Sequence, residues 1–277
     1  MRALVLGGGG LTGIAWEWGI IAGLAQGGVD LTDADLVIGT SAGSVVGAQL
    51  ATGADPDERF ARQLAGPGSE IAARTGPSTM ARLAWAVLRT RSAEQARRNI
   101  GRVARATRTM PASARREVIA ARLPVHTWPD RPLVIAAVDA DSGQRVAFDR
   151  AAGVDLVDAV AASCAVPGVW PPVPIDGRLY IDGGVCSAAN ADLAAGAGRV
   201  VILAPIVRGF GPITGVATQA TELRRHAKVV VVHPDSAAVK AIGRNLLDPA
   251  RRAPAAHAGL AQASSCLAQI DQVWSGD

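Results

Sequence analysis

Short apolar runs alternate along the chain with longer segments in which apolar residues have helical spacing. Strands are predicted at Ala3–Leu6, Leu36–Ile38, Leu133–Val138, Arg145–Phe148, Arg178–Ile181, Val200–Ala204 and Lys228–Val232. The last two runs consist almost entirely of apolar residues, as expected of strands that are covered on both faces. Because helical segments lie between several of these strands, the pattern predicts an α/β fold with a mainly parallel central sheet.

The pattern changes between Gly53 and about Pro129, where strand-like alternation is missing. Helical spacing occurs there at Met80–Leu88 and Ala93–Ala106, interrupted by proline and glycine. We interpret residues 54–129 as a helical insertion within a single domain that spans residues 1–277. The chain has 277 residues, 49% of them hydrophobic, which is sufficient for one large core.

This insertion is rich in arginine. From Arg74 to Arg122 there are 12 arginines against only Glu94 and Glu117, although the net charge of the whole chain is +4. The segment fits a solvated helical surface or a surface that contacts anionic lipid headgroups. Nucleic-acid binding is less favoured, because no helix-turn-helix, zinc or aromatic-basic module accompanies the charge.

The most informative stretch predicts a strand, a sharp turn and a helix from about Ala42 to Ala51. Its turn reads Gly39-Thr40-Ser41-Ala42-Gly43, in which the glycines let the backbone bend tightly enough to expose the serine. The start of the helix directs the N–H of Ala42 at any negative charge beside that hydroxyl. The stretch predicts Ser41 as a nucleophile, with a chance match in a chain of 31 glycines as the alternative.

A second glycine-rich turn, Gly7 to Gly13, follows the first strand. It contains Gly8-x-Gly10-x-x-Gly13, the spacing of dinucleotide-binding loops. Such loops need an acidic residue at the end of the next strand to hold the ribose, and here that strand ends in Gly39-Thr40. The turn therefore favours an anion site made of backbone N–H groups, suited to the oxyanion of an acyl-transfer intermediate. A nucleotide-binding oxidoreductase remains an alternative.

Aspartates at strand ends are candidate bases. Asp182 ends the strand at Arg178–Ile181 and precedes two glycines, which allow another backbone to approach and leave the carboxylate accessible from one side. Asp139 and Asp149 also end strands, but their turn positions favour hydrogen bonds to local backbone N–H groups. Burial would raise the pKa of Asp182 toward the range in which a carboxylate is a useful base.

Histidine provides the competing hypothesis for the base. His233 follows the strand at Lys228–Val232 and would complete a Ser–Asp–His triad in the chain order Ser41, Asp182, His233. Against it, Ser41 follows only two predicted strands, which is early for an α/β-hydrolase. A Ser41–Asp182 pair without histidine and the triad with His233 both remain open at this point.

Other features narrow the class of protein. No apolar run approaches the roughly 20 residues that span a bilayer, and no signal-type apolar core precedes Gly7. Cys164, Cys186 and Cys266 have neither metal-ligand spacing nor a disulfide framework, and we expect them to be small buried residues. We therefore expect a cytoplasmic protein that needs no metal or other cofactor.

In their order and spacing, the three motifs resemble those of bacterial patatin-like phospholipases. The glycine loop, the serine turn and Asp182-Gly183-Gly184 carry the resemblance, which covers most of Met1–Ala204, and Ala161–Val173 resembles the block before the family's Asp-Gly-Gly. It implies a patatin-like three-layer sandwich. One departure is Thr12, which stands where the family often has Arg or Lys, so the loop lacks a positive charge.

The resemblance also implies an activity and its residues. The protein is expected to be a serine acyl hydrolase that cleaves acyl esters of lipids, with Ser41 as nucleophile, Asp182 as base and Gly8, Gly9 and Gly10 as oxyanion donors. The expected partner is a lipid or acyl-ester substrate, and the arginine-rich insertion adds peripheral contact with anionic membranes. A Ser–Asp–His esterase using His233 and a non-catalytic lipid-binding protein of the same fold are the alternatives.

Overall fold

A computed structural model describes residues 1–66, 72–73, 76–88, 90, 92–209 and 213–276. Within these ranges eight strands form one sheet: β1 Arg2–Leu6, β2 Leu36–Thr40, β3 Leu133–Asp139, β4 Arg145–Phe148, β5 Val173–Ile175, β6 Arg178–Asp182, β7 Arg199–Leu203 and β8 Lys228–Val232. Only β5 is absent from the sequence prediction. It has three residues with proline in the middle, so neither length nor alternation could indicate a strand.

The strand order is β5-β6-β3-β2-β1-β7-β8, and β4 pairs with β3 beside this path. The ladders that join β3, β2, β1, β7 and β8 are parallel, whereas β4, β5 and β6 join antiparallel. The predicted α/β class with a mainly parallel sheet is confirmed. Parallel strands bring their carboxyl ends to one edge, so the turns after β1 and β2 become neighbours.

Helices cover both faces of the sheet. Their bounds are α1 Gly10–Gln26, α2 Ala42–Ala51, α3 Pro56–Leu64, α4 Pro77–Leu88, α5 Ala93–Ala106, α6 Ala112–Arg122, α7 Leu156–Ser163, α8 Val216–Leu223, α9 Ser236–Ile242 and α10 Arg252–Trp274. Helices α3 to α6 occupy the predicted insertion, whose assignment to a single domain stays a prediction. Pro254 does not interrupt α10, because proline in the first turn of a helix lacks only an N–H that would have no intrahelical partner there.

The apolar core divides according to strand alternation. In β1, Leu4 and Leu6 pack with α1, α2, α7 and α10, whereas Ala3 and Val5 pack on the other face with α8. A third cluster joins α4 and α5 to one end of β3 and β6 through residues such as Ile181. This third cluster places the helical insertion next to Asp182, the last residue of β6.

Helix α1 is almost entirely enclosed by these layers. Trp16 and Trp18 are fully buried, and their indole N–H groups donate to Gln262 and Gln49. Glu17 between them is also fully buried, and within the described residues neither carboxyl oxygen has a hydrogen-bond partner. Burial raises the pKa of Glu17 well above its ordinary value, against a smaller opposing effect of the Gly7 backbone, and so favours the neutral form of this acid.

Candidate active site

Ser41 lies at the sharp turn between β2 and α2. Its backbone has φ 51° and ψ −116°, a positive-φ conformation that costs a non-glycine residue about 1–3 kcal/mol. The neighbouring glycines are required by close approach: a Cβ on Gly43 would lie 2.1 Å from the carbonyl oxygen of Leu6. The sequence pattern thus produces the strained turn that was predicted, and it presents the hydroxyl of Ser41 away from the sheet.

Strand register brings Asp182 to Ser41. Thr40 pairs with Ala136 of β3, and the next residue of β3, Ala137, pairs with Asp182. Ser41 and Asp182 therefore lie at the same level on either side of β3, and the Ser41 hydroxyl donates to Asp182 Oδ2 at 2.7 Å. Both side chains are buried, with 7% and 5% of their surface exposed.

The environment of Asp182 makes its carboxyl group a stronger base than an exposed aspartate. Burial raises the pKa of Asp182 to about 6, against the opposing effects of the Ser41 hydroxyl, the Gly184 N–H and the charge of Arg115. The Gly184 N–H donates to Oδ1 at 2.7 Å, which fixes the carboxylate orientation. A carboxylate with this pKa is ionised at neutral pH and can accept a proton from a hydroxyl positioned beside it.

Arg115, one of the 12 arginines counted in the insertion, is buried and does not lie on the surface. It is 4% exposed, and its guanidinium carbon lies 3.9 Å from the centre of the Trp170 ring. Its charge lowers the pKa of Asp182. Helical spacing could have indicated this burial, because Arg115 and Ile119, the buried residues of α6, lie four positions apart and so share one face of the helix.

The last residue of α7, Ser163, is hydrogen-bonded to the turn that contains Ser41. Ser163 accepts the Ser41 N–H at 2.9 Å and donates its own hydroxyl proton to the carbonyl oxygen of Ala136 at 2.6 Å. Cys164 donates to the Ser41 carbonyl oxygen at 3.2 Å. Both residues belong to the block that resembles the family segment before Asp-Gly-Gly, and sequence patterns alone assigned no role to Ser163.

The glycine loop packs against the serine, and it corrects one expected role. The N–H of Gly8 donates to the carbonyl oxygen of Ala188 at 2.7 Å, so Gly8 is not a free oxyanion donor and that part of the prediction is wrong. In the described part of the chain, no acceptor receives the N–H of Gly9, Gly10 or Ala42. These three groups stay as the candidate donors.

The same loop does not suit a dinucleotide. The carbonyl oxygen of Leu246 accepts both the N–H of Thr12, at 3.1 Å, and its hydroxyl, at 3.3 Å, so part of the amino end of α1 is occupied. At the end of β2, the Thr40 hydroxyl donates to the carbonyl oxygen of Ala189. With no acid there to bind a ribose, the geometry disfavours the oxidoreductase alternative.

The remaining candidate residues have structural partners. Asp139 accepts the N–H groups of Asp141 and Ser142, and Asp149 accepts that of Ala151, as expected for turn aspartates. His233 contacts the carbonyl oxygen of Pro234 through Nδ1 at 3.2 Å. Ser41 donates to one Asp182 oxygen and Gly184 to the other, so the structure brings Ser41 and Asp182 together and leaves His233 outside this contact.

Ser41 and Asp182 lie in the wall of a cavity of about 990 Å³. Apolar side chains of the insertion line one part of it, among them Leu83, Val87 and Ile100. The glycine loop, Ile206, Arg208, Ile213 and residues around 242–251 form other parts of the lining. The volume lies at the upper end of the range of about 300–1,000 Å³ that is typical of small-molecule sites.

Not all of the described arginines of the insertion are free surface charges. Arg74, Arg89 and Arg91 lie outside the described residues. Several others bind groups of the protein: Arg97 and Arg98 donate to the carbonyl oxygens of Gly143 and Ser142, Arg105 pairs with Asp141, and Arg116 pairs with Asp155 and Asp158. Four of the 12 counted arginines therefore bind the turn between β3 and β4 or the start of α7.

The described ranges lack two kinds of feature. Of the helices they contain, none combines the length and apolar character needed to cross a bilayer. The same ranges contain no group of three or more His, Cys, Asp or Glu side chains arranged to hold a metal ion.

Comparisons with known proteins agree with this architecture. A family model described as "Patatin-like phospholipase" matches residues 4–195. VipD from Legionella pneumophila is similar with a TM-score of 0.50 at 13% identity, over 97% of this chain and 67% of VipD. The type III effector ExoU aligns with a TM-score of 0.43 at 18% identity, over 97% of this chain and 53% of ExoU. At these identities the similarity to VipD concerns the fold alone, and the score for ExoU is too low to support an argument.

Proposed function

The chain belongs to the patatin-like phospholipase family, and we propose that it is a serine acyl hydrolase that cleaves acyl esters of lipids. Family membership supports the general class of lipid ester hydrolysis. The observation that supports the specific chemistry is the 2.7 Å hydrogen bond from the Ser41 hydroxyl to Asp182 in the wall of a large cavity.

In the proposed acylation step, Ser41 Oγ attacks the carbonyl carbon of the ester while its proton passes to Asp182 Oδ2. The negative charge that develops on the carbonyl oxygen is stabilised by backbone N–H groups, for which Gly9, Gly10 and Ala42 are the candidates. When the tetrahedral intermediate collapses, the carbon–oxygen bond to the alcohol breaks, and protonated Asp182 returns the proton to the leaving oxygen. The products of this step are an acyl-serine and a free alcohol.

Deacylation repeats these steps with water as the nucleophile. Asp182 accepts a proton from water as the hydroxide oxygen bonds to the acyl carbon, and it returns that proton to Ser41 Oγ as the fatty acid leaves. The pKa of about 6 suits both directions of transfer, because the group is ionised at neutral pH and still basic enough to accept a proton.

The acyl chain is proposed to occupy the part of the cavity lined by the insertion. Leu83 and Val87 of α4, Ile100 of α5 and Val185 after β6 supply an apolar surface that a hydrocarbon chain can contact. Burying a hydrocarbon there contributes about 0.8 kcal/mol per CH₂ group. Longer acyl chains are therefore expected to bind more tightly until this part of the cavity is filled.

Peripheral contact with anionic membranes is the second part of the proposal. On α4, Trp85 and Leu88 are 61% and 78% exposed, on the same helix as the cavity residues Leu83 and Val87. Tryptophan and leucine on an amphipathic helix insert at the lipid interface, and the basic insertion would add attraction to anionic headgroups. A cytoplasmic location with this peripheral contact stays a prediction.

A serine-directed fluorophosphonate tests the proposed nucleophile independently of the natural substrate. Peptide mass spectrometry should find the phosphonyl adduct on Ser41 in the wild-type protein and on no serine in Ser41→Ala. Ser264→Ala, which alters a serine on α10 outside the cavity, is the matched control and should label fully. A folded wild-type protein that stays unlabelled at Ser41 would favour the non-catalytic lipid-binding alternative.

A further inference from the structure

Residues 187–190, between β6 and β7, form a short loop that contacts several parts of the site. The carbonyl oxygen of Ala188 accepts the N–H of Gly8 in the glycine loop at 2.7 Å. The carbonyl oxygen of Ala189 accepts the hydroxyl of Thr40, the residue before the candidate nucleophile, at 3.2 Å. We call residues 187–190 the bridging loop, because its last residue also contacts the segment after the candidate base.

That last residue, Asn190, is fully buried. Its Nδ2 donates to three acceptors, the carbonyl oxygen of Ser187 at 2.9 Å, Thr40 Oγ1 at 3.1 Å and the carbonyl oxygen of Gly183 at 3.2 Å. Two of these acceptors are carbonyl oxygens, which only the N–H end of the amide can bind, so the contacts determine which way the amide faces. The amide therefore joins the residue before the candidate nucleophile to the residue after the candidate base.

The sheet alone does not make this connection. Strands β2 and β6 lie on opposite sides of β3, and the last pairs at this end are Thr40 with Ala136 and Asp182 with Ala137. In the described part of the chain, no ladder continues beyond these pairs. The distance between the Ser41 hydroxyl and the Asp182 carboxylate therefore depends on contacts outside the ladders, and the buried amide supplies one that reaches both segments.

Helix α8 holds the bridging loop in place. The Ser187 hydroxyl donates to Gln219 Oε1 at 2.8 Å, and the same oxygen accepts the N–H of Ala191 at 3.2 Å. Asn190 itself has φ 50° and ψ 40°, a left-handed conformation that asparagine tolerates better than most residues. The position of the amide is thus fixed by contacts away from the two reacting side chains.

We propose that Asn190 is a positioning residue for the Ser41–Asp182 pair. This inference rests on the proposed function and goes beyond it, because it assigns a role to a residue outside the cavity wall. Asn190 holds the hydroxyl and the carboxylate at the distance that proton transfer requires, and it does so without touching substrate. A misplacement of reacting groups by about 1 Å can cost about 100-fold in rate. Loss of the amide should therefore lower kcat and leave KM nearly unchanged.

Asn190→Gly is the principal variant. Glycine adopts the positive φ of this position without strain, so the change removes the amide without a steric penalty in the backbone. On a soluble short-chain ester, we expect kcat to fall about 100-fold while KM changes by less than about twofold. A folded variant whose kcat stays within about twofold of the wild-type value would overturn the positioning role.

Gln262→Ala is the matched control. Gln262 is also a buried amide with three contacts: it donates to the carbonyl oxygen of His233 at 2.7 Å, and it accepts the Trp16 indole N–H at 3.0 Å and the Asp235 N–H at 3.3 Å. It lies outside the cavity wall, so this variant should lose stability as Asn190→Gly does and should keep its kcat. Equal losses of kcat in the two variants would show a general effect of destabilisation, and they would overturn the positioning role.

Two further variants test the same contact if Asn190→Gly does not fold. Asn190→Asp keeps the size of the side chain and tolerates positive φ, but an ionised carboxylate has no N–H to donate, so kcat should fall as in Asn190→Gly. Thr40→Val removes an acceptor of the amide, and its loss of kcat should not add to that of an Asn190 variant, because both remove the same contact. Full activity of folded Asn190→Asp, or additive losses in the double variant, would overturn the proposal.

Titration of the Asp182 carboxyl carbon by nuclear magnetic resonance separates this inference from the hydrolase proposal, because it needs no substrate. The signal is identified by its absence in Asp182→Asn. The groups around this carboxylate are the Ser41 hydroxyl, the Gly184 N–H, the Arg115 guanidinium and the Cys164 thiol. Burial raises the pKa of Asp182 to about 6 against the opposing hydrogen bond from Ser41. Loss of that hydrogen bond in Asn190→Gly should therefore move the titration upward by about one pH unit.

The titration and the rates together distinguish the two proposals. If the pKa of Asp182 rises in Asn190→Gly but not in Gln262→Ala, and the wild type hydrolyses no acyl ester, the positioning role stands and the hydrolase proposal fails. If the wild type hydrolyses the ester, and Asn190→Gly changes neither kcat nor the pKa of Asp182, the hydrolase proposal stands and the positioning role fails.

Discussion

Two strand–turn–helix units lie side by side at the site, and they expose different chemistry. The unit β1–α1 presents backbone N–H groups, whereas the unit β2–α2 presents the Ser41 side chain. Their strands are parallel neighbours, with Leu6 paired with Gly39, and the Gly43 N–H donates to the carbonyl oxygen of Gly7 at 3.0 Å. In each unit one residue adopts a positive φ: 62° at Gly10 and 51° at Ser41.

The two units differ in the residue type that adopts positive φ. Glycine adopts positive φ at little cost and presents no side chain, so the first turn leaves its N–H groups accessible. Serine adopts positive φ only at a conformational cost, and its hydroxyl is held in a fixed position. In the second unit, a conformation that lowers local stability therefore accompanies the fixed position of one oxygen atom.

The largest expected effect comes from Ser41. Ser41→Ala should reduce kcat by about 10³-fold or more, since the covalent step is lost. Ser41→Gly should be equally inactive, and it should raise the free energy of unfolding by about 1 kcal/mol relative to Ser41→Ala because the strain at positive φ is relieved. Urea unfolding of the two variants checks this difference, and equal stabilities would show that the turn stores no strain.

Gly10→Ala should have the next largest effect. The new Cβ would lie 2.5 Å from the carbonyl oxygen of Leu246, in addition to the cost of positive φ. We expect a loss of about 2 kcal/mol of stability and a lower kcat, since the first unit must shift. Gly28→Ala is the matched control: its φ is 90°, and no atom lies within 4 Å of its Cβ position.

Comparing Gly10→Ala with Gly28→Ala separates the effect of the close contact with Leu246 from the effect of the positive-φ conformation. Gly28→Ala should cost about 1 kcal/mol through its backbone conformation and leave kcat unchanged. If both variants lose the same stability and both keep full activity, the tight packing of the glycine loop has no functional importance.

The pH dependence of the second unit follows from Asp182. Its raised pKa, about 6, means that the carboxylate becomes protonated and unable to act as a base below that pH. We expect kcat/KM to fall about tenfold per pH unit below about pH 6 and to level off above it. Initial rates on a soluble ester between pH 4.5 and 8 measure this limb, and a midpoint near pH 4 would indicate an aspartate with an ordinary exposed environment.

The smallest effect concerns stability and comes from Glu17 of the first unit. Because burial raises its pKa, the Glu17 carboxyl group binds a proton more tightly in the folded state than in the unfolded state, whose glutamates titrate near about pH 4.3. The contribution of Glu17 to stability therefore falls as pH rises above that value, and Glu17→Gln should gain in stability relative to the wild type between pH 4.5 and 8. Denaturant unfolding at both pH values tests this, with the exposed Glu222→Gln as a control that should show no such trend.

Both units were predictable from sequence because their signals are local. An apolar run followed by a glycine turn occupies adjacent residues, so the strands Arg2–Leu6 and Leu36–Thr40 and the helix α2 were predicted nearly to their bounds. The contact between Ser41 and Asp182 joins residues 141 positions apart and depends on the antiparallel pairing of β6 with β3. No local pattern determines that pairing, although the strand-end position of Asp182 made it a candidate base and the resemblance implied the same role.

Residues whose roles depend on tertiary packing were missed or assigned incorrectly. Arg115 has the same side chain as its surface neighbours, and only the packing of α6 near Trp170 buries it. Gly8 was assigned a free N–H because the sequence does not show that the carbonyl oxygen of Ala188 would approach it. Ser163 supports Ser41 from a helix end 122 positions away.

The most direct test of the central claim is the comparison of kcat/KM among three variants on one soluble acyl ester. We predict that Ser41→Ala and Asp182→Asn each lose about 10³-fold or more, and that His233→Ala keeps at least half of the wild-type value. Circular dichroism and unfolding midpoints would establish that all three are folded. A folded Asp182→Asn that retains substantial activity, or a His233→Ala that loses several orders of magnitude, would contradict the Ser41–Asp182 dyad.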